Sequence, residues 1–110
     1  MQTVGEAGFE SKVLKAGGVV LVDFCADWCD SCRYQEPALE SIAEEYEIEG
    51  GDSRIKFVKV NIEKNSNLVA EYRVIHIPTL FLFKEGKPIH RVIGFEWEDD
   101  LRKVLETVQV

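Results

Sequence analysis

The 110-residue sequence lacks a long hydrophobic run and carries little positive charge. A membrane-spanning helix needs about 20 consecutive apolar residues, and the opening residues are polar where a signal peptide would be hydrophobic. Thirteen basic residues stand against 20 acidic ones, and the resulting net charge of −7 disfavours binding to nucleic acid or anionic membranes. We therefore predict a cytoplasmic protein with no nucleic-acid partner and no membrane insertion, although a trimmed export signal would be compatible with the same sequence.

Cysteine is scarce as well, and three thiols are an odd number that does not suit a fold held by paired disulfides. The chain does not need such bonds, because 110 residues can bury a core of ordinary size. Its 45% hydrophobic and 30% charged residues are typical of a globular protein. The sequence contains no repeat, linker or low-complexity tract, and we predict a single domain over residues 1–110.

The spacing of apolar residues predicts a mixed sheet with helices. Residues 19–26 form a nearly continuous apolar run, which is typical of a central strand covered on both faces. Three further segments are predicted strands: 55–62, 79–84 and 89–93. A helix between the first two strands implies parallel pairing, whereas the short connection before the last strand implies an antiparallel hairpin. We also expect a loop over residues 50–53.

Four helices are predicted from apolar residues at helical spacing. The first contains Phe9 and ends near a pair of glycines. The second is long and follows the cysteines, with Pro37 expected to bend it. Asn65 or the serine after it is a candidate cap for the third helix. The last carries Trp97 and Leu101 on one face, and we expect this tryptophan to lie in the core.

Two of the cysteines, Cys29 and Cys32, lie three residues apart where the apolar strand meets the long helix. The first turn of a helix has unpaired N–H groups and the positive end of the dipole, which stabilise a thiolate at Cys29. Cys32 lies on the same helix face, within reach to resolve a mixed disulfide. This pattern indicates thiol redox chemistry, but zinc and iron–sulfur sites use the same spacing.

Charged residues near the cysteines are candidates for proton transfer. Asp23 is the only charge in its strand, and a lone buried carboxylate usually escapes the cost of ionisation through a raised pKa. It could accept the proton of Cys32, with Lys59 on a neighbouring strand as its partner. Asp30 adjoins Cys29, and its negative charge would disfavour the thiolate.

Other residues near the motif have simpler interpretations. Pro78 enters a strand after a loop and is a candidate for a cis peptide bond. We interpret His76 as a surface residue of that loop and Cys25 as a small residue of the core or its rim. Trp28, directly before the first cysteine of the pair, is expected to be partly exposed.

Taken together, these motifs resemble the thioredoxin family over nearly all of the chain. The matching positions are Val22-Asp23-Phe24, Ala26-Asp27-Trp28-Cys29, Cys32-Arg33, Pro37, Lys59, Ile77-Pro78-Thr79 and Gly94. The resemblance implies an α/β thioredoxin fold with a central mixed β-sheet flanked by helices on both faces. Asp30 and Ser31 replace the usual Gly-Pro between the cysteines, and Cys25 replaces an aromatic residue, so the redox potential and the partners are open.

The resemblance also implies a thiol–disulfide oxidoreductase that reduces protein disulfides without a cofactor. Cys29 would be the nucleophile, Cys32 the resolving thiol and Asp23 a buried carboxylate behind them. Pro78 would be the cis-proline facing the disulfide. The apolar substrate surface would consist of Trp28, Ile77 and Gly94. The implied partners are proteins that contain disulfides and an external reductant, such as a thioredoxin reductase or a membrane thiol–disulfide conduit.

Two alternatives compete with this interpretation. Cys25, Cys29 and Cys32 form a C-x-x-x-C-x-x-C spacing that could hold a metal or an iron–sulfur cluster. The known cluster enzymes with this spacing need a much larger barrel, and His76 and His90 are far away in sequence as further ligands. A redox-inert thioredoxin-like interaction module is the second alternative, but such modules usually lack one cysteine of the pair.

Overall fold

The computed structural model describes residues 1–48 and 55–108, so the loop predicted at residues 50–53 lies outside the described residues. The described part contains five strands: β1 (Gln2–Thr3), β2 (Val19–Cys25), β3 (Ile55–Asn61), β4 (Thr79–Lys84) and β5 (Lys87–Ile93). They form one sheet in the order β1-β3-β2-β4-β5. Strand β2 pairs parallel with β3 and antiparallel with β4, and β4 forms an antiparallel hairpin with β5. The predicted mixed sheet is therefore confirmed.

The helices follow the predicted order. They are α1 (Glu6–Phe9), which continues into a π-helical segment (Glu10–Leu14), α2 (Asp30–Ile48), α3 (Ser66–Glu71) and α4 (Glu98–Val108), with a 3-10 turn at Ile62–Lys64. Pro37 lies inside α2 as predicted. Strand β1 was not predicted, because two residues are too few to show alternation. It is held at the sheet edge by parallel pairing with β3.

The alternation of β2 decides which side chains lie beneath the cysteine helix. Val20, Val22 and Phe24 belong to a core on one face of the sheet. Leu21 belongs to the core on the other face, together with residues of α2 and α4. Because successive strand residues point to opposite faces, Asp23 lies on the same face as Leu21. The predicted arrangement of helices on both faces is confirmed, and it places Asp23 below α2.

The prediction that Trp97 lies in the core is wrong. Its side chain is 69% exposed, while Leu101 and Leu105 of α4 are buried. The helix begins at Glu98, one residue after Trp97. The helical period fixes the direction only of side chains inside the helix, so it does not place Trp97 on the buried face. Its ring instead meets the ring of Phe95 edge-on, with 5.0 Å between centroids.

Asn65 precedes α3 as predicted, but its side chain does not cap that helix. Its Oδ1 accepts a hydrogen bond of 2.9 Å from the backbone N–H of Glu6, and its Nδ2 donates to the carbonyl of Asn61 at 2.8 Å. The buried amide therefore ties the start of α1 to the end of β3. Local helix signals could not predict this use, because Glu6 is distant in sequence.

Candidate active site

The two thiols of the motif meet at the start of α2. Cys29 directly precedes the helix, and Cys32 lies in its first turn. The backbone N–H of Cys32 donates a hydrogen bond to Sγ of Cys29 at 3.2 Å. This is one of the unpaired donors of the first helical turn, and it favours negative charge on the Cys29 sulfur. The predicted placement of the pair is confirmed.

The two cysteines differ in environment more than in exposure. Cys29 is 6% exposed and Cys32 is 5% exposed, so accessibility of the whole residue does not separate them. Burial raises the pKa of the Cys32 thiol well above its ordinary range, and contact with Cys29 and the charge of Asp23 raise it further. Cys32 is therefore kept as a neutral thiol, whereas Sγ of Cys29 accepts a hydrogen bond from the first turn of α2.

A cis peptide bond joins Ile77 to Pro78, as predicted. The Cys29 thiol contacts the carbonyl oxygen of Ile77 at 3.9 Å. On the far side of the same bond, the backbone N–H of Gly94 donates to the carbonyl of Pro78 at 2.8 Å. Gly94 has a φ of +84°, a conformation that side chains other than glycine rarely adopt.

These contacts bring the cis-proline Pro78 and two of the predicted surface residues, Ile77 and Gly94, beside the cysteine pair. The third predicted surface residue, Trp28, is 62% exposed directly before Cys29, which confirms its predicted exposure. An apolar surface therefore borders Sγ of Cys29, the sulfur that accepts the hydrogen bond from the first turn of α2.

Asp23 is 1% exposed beneath the pair, and its Oδ1 has no hydrogen-bond partner among the described residues. Burial raises the pKa of Asp23 to about 7, and the negative charge of Glu36 contributes to the increase. Lys59 acts in the opposite direction but does not cancel it. A carboxyl group with a pKa near neutrality can both accept and release a proton at cellular pH.

The predicted pairing of Lys59 with Asp23 needs a correction. The two residues face each other in register across β2 and β3. However, Nζ of Lys59 forms its salt bridge with Oε1 of Glu36, at 2.8 Å. Both of these side chains remain about one-third exposed, at 30% and 36%, so their charges keep part of their hydration. Sequence reasoning missed Glu36, although it lies four residues after Cys32 on the same helix face.

Asp23, Glu36 and Lys59 line an open cleft of about 410 Å³ that also reaches Cys25 and Cys32. The cleft connects the buried carboxyl to the surface on the side of α2. It therefore provides a route by which a proton on Asp23 can exchange with solvent.

The remaining thiol, Cys25, is partly buried, and its sulfur contacts the carbonyl of Val60 at 3.9 Å. Burial, followed by the charge of Asp23, raises the pKa of Cys25 to about 12. Such a thiol is a weak nucleophile, which is consistent with its interpretation as a residue of the core rim. His76 is exposed on the loop, as predicted.

Arg33 lies close to Asp30 and partly offsets its negative charge. The sequence did not predict this contact. The Asp30 side chain is 84% exposed, and its Oδ1 lies 3.8 Å from Nη1 of Arg33. The same guanidinium donates hydrogen bonds to the carbonyl of Asp27 at 2.8 and 3.2 Å. Arg33 is thus fixed beside the motif, where it reduces the effect of Asp30 on the thiolate.

A buried glutamine connects α2 to the segment before α4. Nε2 of Gln35 donates to the carbonyl of Glu96 at 3.0 Å, and Oε1 accepts from the backbone N–H of Glu96 at 2.8 Å. Gln35 is fully buried, whereas Glu96 is partly exposed, so the two hydrogen bonds are partly shielded from water. Sequence reasoning missed this contact because the two residues are 61 positions apart.

The geometry lends no support to the metal-site alternative. Among residues 1–48 and 55–108, no group of three or more His, Cys, Asp or Glu side chains is placed to hold a metal ion. In the same part of the chain, no helix is both long and apolar enough to cross a membrane.

Comparison with known proteins agrees with this site. The family model described as Thioredoxin matches residues 1–107. Thioredoxins of Staphylococcus aureus strains Mu50, MW2 and N315 are each 40% identical over 103 residues, which cover 94% of this chain and 92% of each relative. The chain therefore belongs to the thioredoxin family and is a thiol–disulfide oxidoreductase.

Proposed function

We propose that this protein reduces disulfides in other proteins by dithiol–disulfide exchange, with Cys29 as the nucleophile and Cys32 as the resolving thiol. The observation that carries the proposal is the hydrogen bond from the N–H of Cys32 to Sγ of Cys29, at 3.2 Å. It favours charge on one sulfur, while burial opposes ionisation of the other.

In the first step, the Cys29 thiolate attacks one sulfur of a substrate disulfide. A bond forms between Cys29 and that sulfur, the substrate disulfide breaks, and the second substrate sulfur leaves as a thiolate that takes a proton from solvent. The substrate lies on the apolar surface of Trp28, Ile77, Pro78 and Gly94. The carbonyl of Ile77 faces the reacting sulfur, at 3.9 Å.

In the second step, the Cys32 thiolate attacks Sγ of Cys29 and forms the Cys29–Cys32 bond. The bond between Cys29 and the substrate breaks, and the substrate sulfur leaves as a thiolate that takes a proton from solvent. Cys32 must first lose its proton in a buried setting that opposes its ionisation. The Asp23 carboxylate accepts that proton, for which its pKa of about 7 is suitable. Lys59 and Glu36 set the charge around this carboxylate. Two electrons pass to the substrate, and a Cys29–Cys32 disulfide remains.

An external dithiol reductant must then restore the pair, and a thioredoxin reductase or a membrane thiol–disulfide conduit has the required chemistry. We place the reaction in the cytoplasm, because an odd number of cysteines suits a reducing compartment.

Single-cysteine variants test the division of labour. Incubated with disulfide-containing proteins, Cys32→Ser should accumulate mixed disulfides through Cys29, because the resolving thiol is absent. Cys29→Ser should accumulate almost none. The matched control is Cys25→Ala, which should keep insulin-disulfide turnover within about threefold of the unmodified protein, because its high pKa leaves little thiolate.

Mass spectrometry of the trapped species identifies the bonded cysteine. Mixed disulfides at Cys32 or Cys25 in place of Cys29 would contradict the assignment. Failure of the unmodified, reduced protein to reduce any protein disulfide would contradict the function itself.

A further inference from the structure

An aromatic pocket lies next to the cysteine pair. Ser31, Tyr34, Phe95 and Trp97 line an open pocket of about 490 Å³. Ser31 lies between the two cysteines, and Phe95 directly follows Gly94 of the proposed substrate surface. The pocket therefore continues that surface along α2.

The aromatic side chains of the pocket are unusually exposed for their size. Tyr34 is 75% exposed, Trp97 is 69% exposed and Phe95 is 37% exposed. A contiguous apolar patch of this kind on a protein surface commonly marks a binding site. Aromatic rings also provide a large contact area while losing few rotatable bonds on binding.

The pocket is held in place before any ligand arrives. Gln35, adjacent to Tyr34, binds both backbone groups of Glu96. Oε1 of Glu96 in turn accepts a hydrogen bond from the backbone N–H of Trp97 at 3.0 Å. Phe95 and Trp97 thus flank a residue that is fixed to α2 from two sides. A prebuilt pocket loses less conformational freedom when it binds a ligand.

The charge around the pocket is negative. Six acidic residues lie within three positions of a pocket residue, against one basic residue, Arg33: they are Asp30, Glu36, Glu96, Glu98, Asp99 and Asp100. Some of these charges are paired, since Asp30 lies close to Arg33, Glu36 binds Lys59, and Glu98 and Asp99 bind Arg102. This excess, together with the net charge of −7, favours a ligand with positive charge.

We propose that this pocket is a specificity subsite for disulfide substrates, and this inference rests on the proposed function. It binds a large apolar side chain that lies beside the substrate cysteine, in a segment that also carries a basic residue. The side chain packs against Tyr34, Phe95 and Trp97, which positions the neighbouring disulfide over Cys29. The chemical step is the exchange described above, and the pocket contributes selectivity among substrates.

Two disulfide-cyclised peptides that differ at one position test this subsite. Each carries a lysine, and the residue next to one cysteine is leucine in the first and alanine in the second. Rate constants for their reduction by the pre-reduced protein are measured by stopped flow, with hydroxyethyl disulfide as a substrate that has no side chains. We expect about a tenfold preference for the leucine peptide, the effect of one partly buried apolar side chain.

Trp97→Ser should reduce this preference to less than threefold. The matched control is Ile89→Ser, because Ile89 is an apolar residue, 45% exposed, on β5 and outside the pocket. This control should retain the tenfold preference. Circular dichroism verifies that both variants fold. Equal rates for the two peptides, or an unchanged preference in Trp97→Ser, would overturn the subsite.

A separate measurement distinguishes failure of the subsite from failure of the proposed function. If the protein reduces neither hydroxyethyl disulfide nor the peptides, the proposed function is wrong. Binding of the reduced, S-methylated peptides is then followed by NMR at the indole N–H of Trp97 and the amide of Phe95. Tighter binding of the leucine peptide at these signals supports the subsite, and equal binding of the two peptides refutes it.

Discussion

Asp23→Asn perturbs the site most informatively, because it removes a buried charge and keeps the shape of the side chain. Burial raises the pKa of Asp23 from 3.8 to about 7 in the folded protein. This difference of about three pH units corresponds to roughly 4 kcal/mol, at about 1.4 kcal/mol for each unit. The magnitude applies to a residue that is only 1% exposed, so screening by solvent is small.

The sign of the effect on stability follows from proton binding. Between pH 4 and pH 7 the folded protein holds the Asp23 proton and the unfolded chain does not, so folding stability falls as the pH rises. The contribution is fully present below pH 3.8 and is lost as the pH passes through about 7. Asparagine does not titrate. The free energy of unfolding of Asp23→Asn, relative to the unmodified protein, should therefore rise by about 4 kcal/mol between pH 4 and pH 8.

The asparagine has a cost of its own, since its buried amide lacks a partner for at least one polar atom. This cost is about 1–3 kcal/mol and is the same at every pH, so the variant should be less stable at pH 4 and more stable at pH 8. Urea denaturation of the reduced proteins across this range measures the difference. Asp27→Asn is the control, because Asp27 is an exposed aspartate that lines the same cleft. Its stability relative to the unmodified protein should vary by less than about 0.5 kcal/mol.

The same variant tests the proposed proton transfer. Resolution of the mixed disulfide should slow by roughly 100-fold at pH 7, the lower end of the range for a lost general base. Formation of the mixed disulfide should slow much less, because Cys29 does not need that base. Stopped-flow rates from about pH 6 to pH 9 should show the deficit shrinking as Cys32 ionises unaided. Equal slowing of both steps, or a stability difference that does not change with pH, would refute the reasoning.

Three further substitutions test other parts of the site. Glu36→Gln removes a charge that raises the pKa of Asp23, so the NMR-monitored pKa of that carboxyl should fall below about 7, and an increase would contradict the electrostatic account. Asp30→Asn should stabilise the Cys29 thiolate and make the Cys29–Cys32 couple more oxidising by roughly 15 mV, equivalent to about 0.7 kcal/mol. Equilibration with glutathione measures this shift, and a more reducing couple would exclude an effect of Asp30 on the thiolate. Gln35→Leu leaves two backbone groups unpaired and should lower the free energy of unfolding by about 1–3 kcal/mol in urea denaturation, whereas an unchanged value would show that this contact is dispensable.

Local signals in the sequence were sufficient to locate the redox pair and the order of the elements. The apolar run of β2, the helical spacing after Cys32 and the proline at position 78 each reflect a few consecutive residues. Periods of about 2 and 3.6 residues determine which side chains share a face, so they can be recognised without a structure. They correctly indicated that Asp23 is buried and that the two thiols meet at the start of a helix.

Only the tertiary structure decided which distant groups meet. It paired Lys59 with Glu36 instead of Asp23, since the salt bridge forms where both side chains keep contact with water. It joined Gln35 to a segment 61 positions away, and it left Trp97 exposed beside the active site. Such contacts depend on how β3, α2 and the start of α4 pack together. The local sequence does not encode that packing, because each element is compatible with many partners until the whole chain has folded.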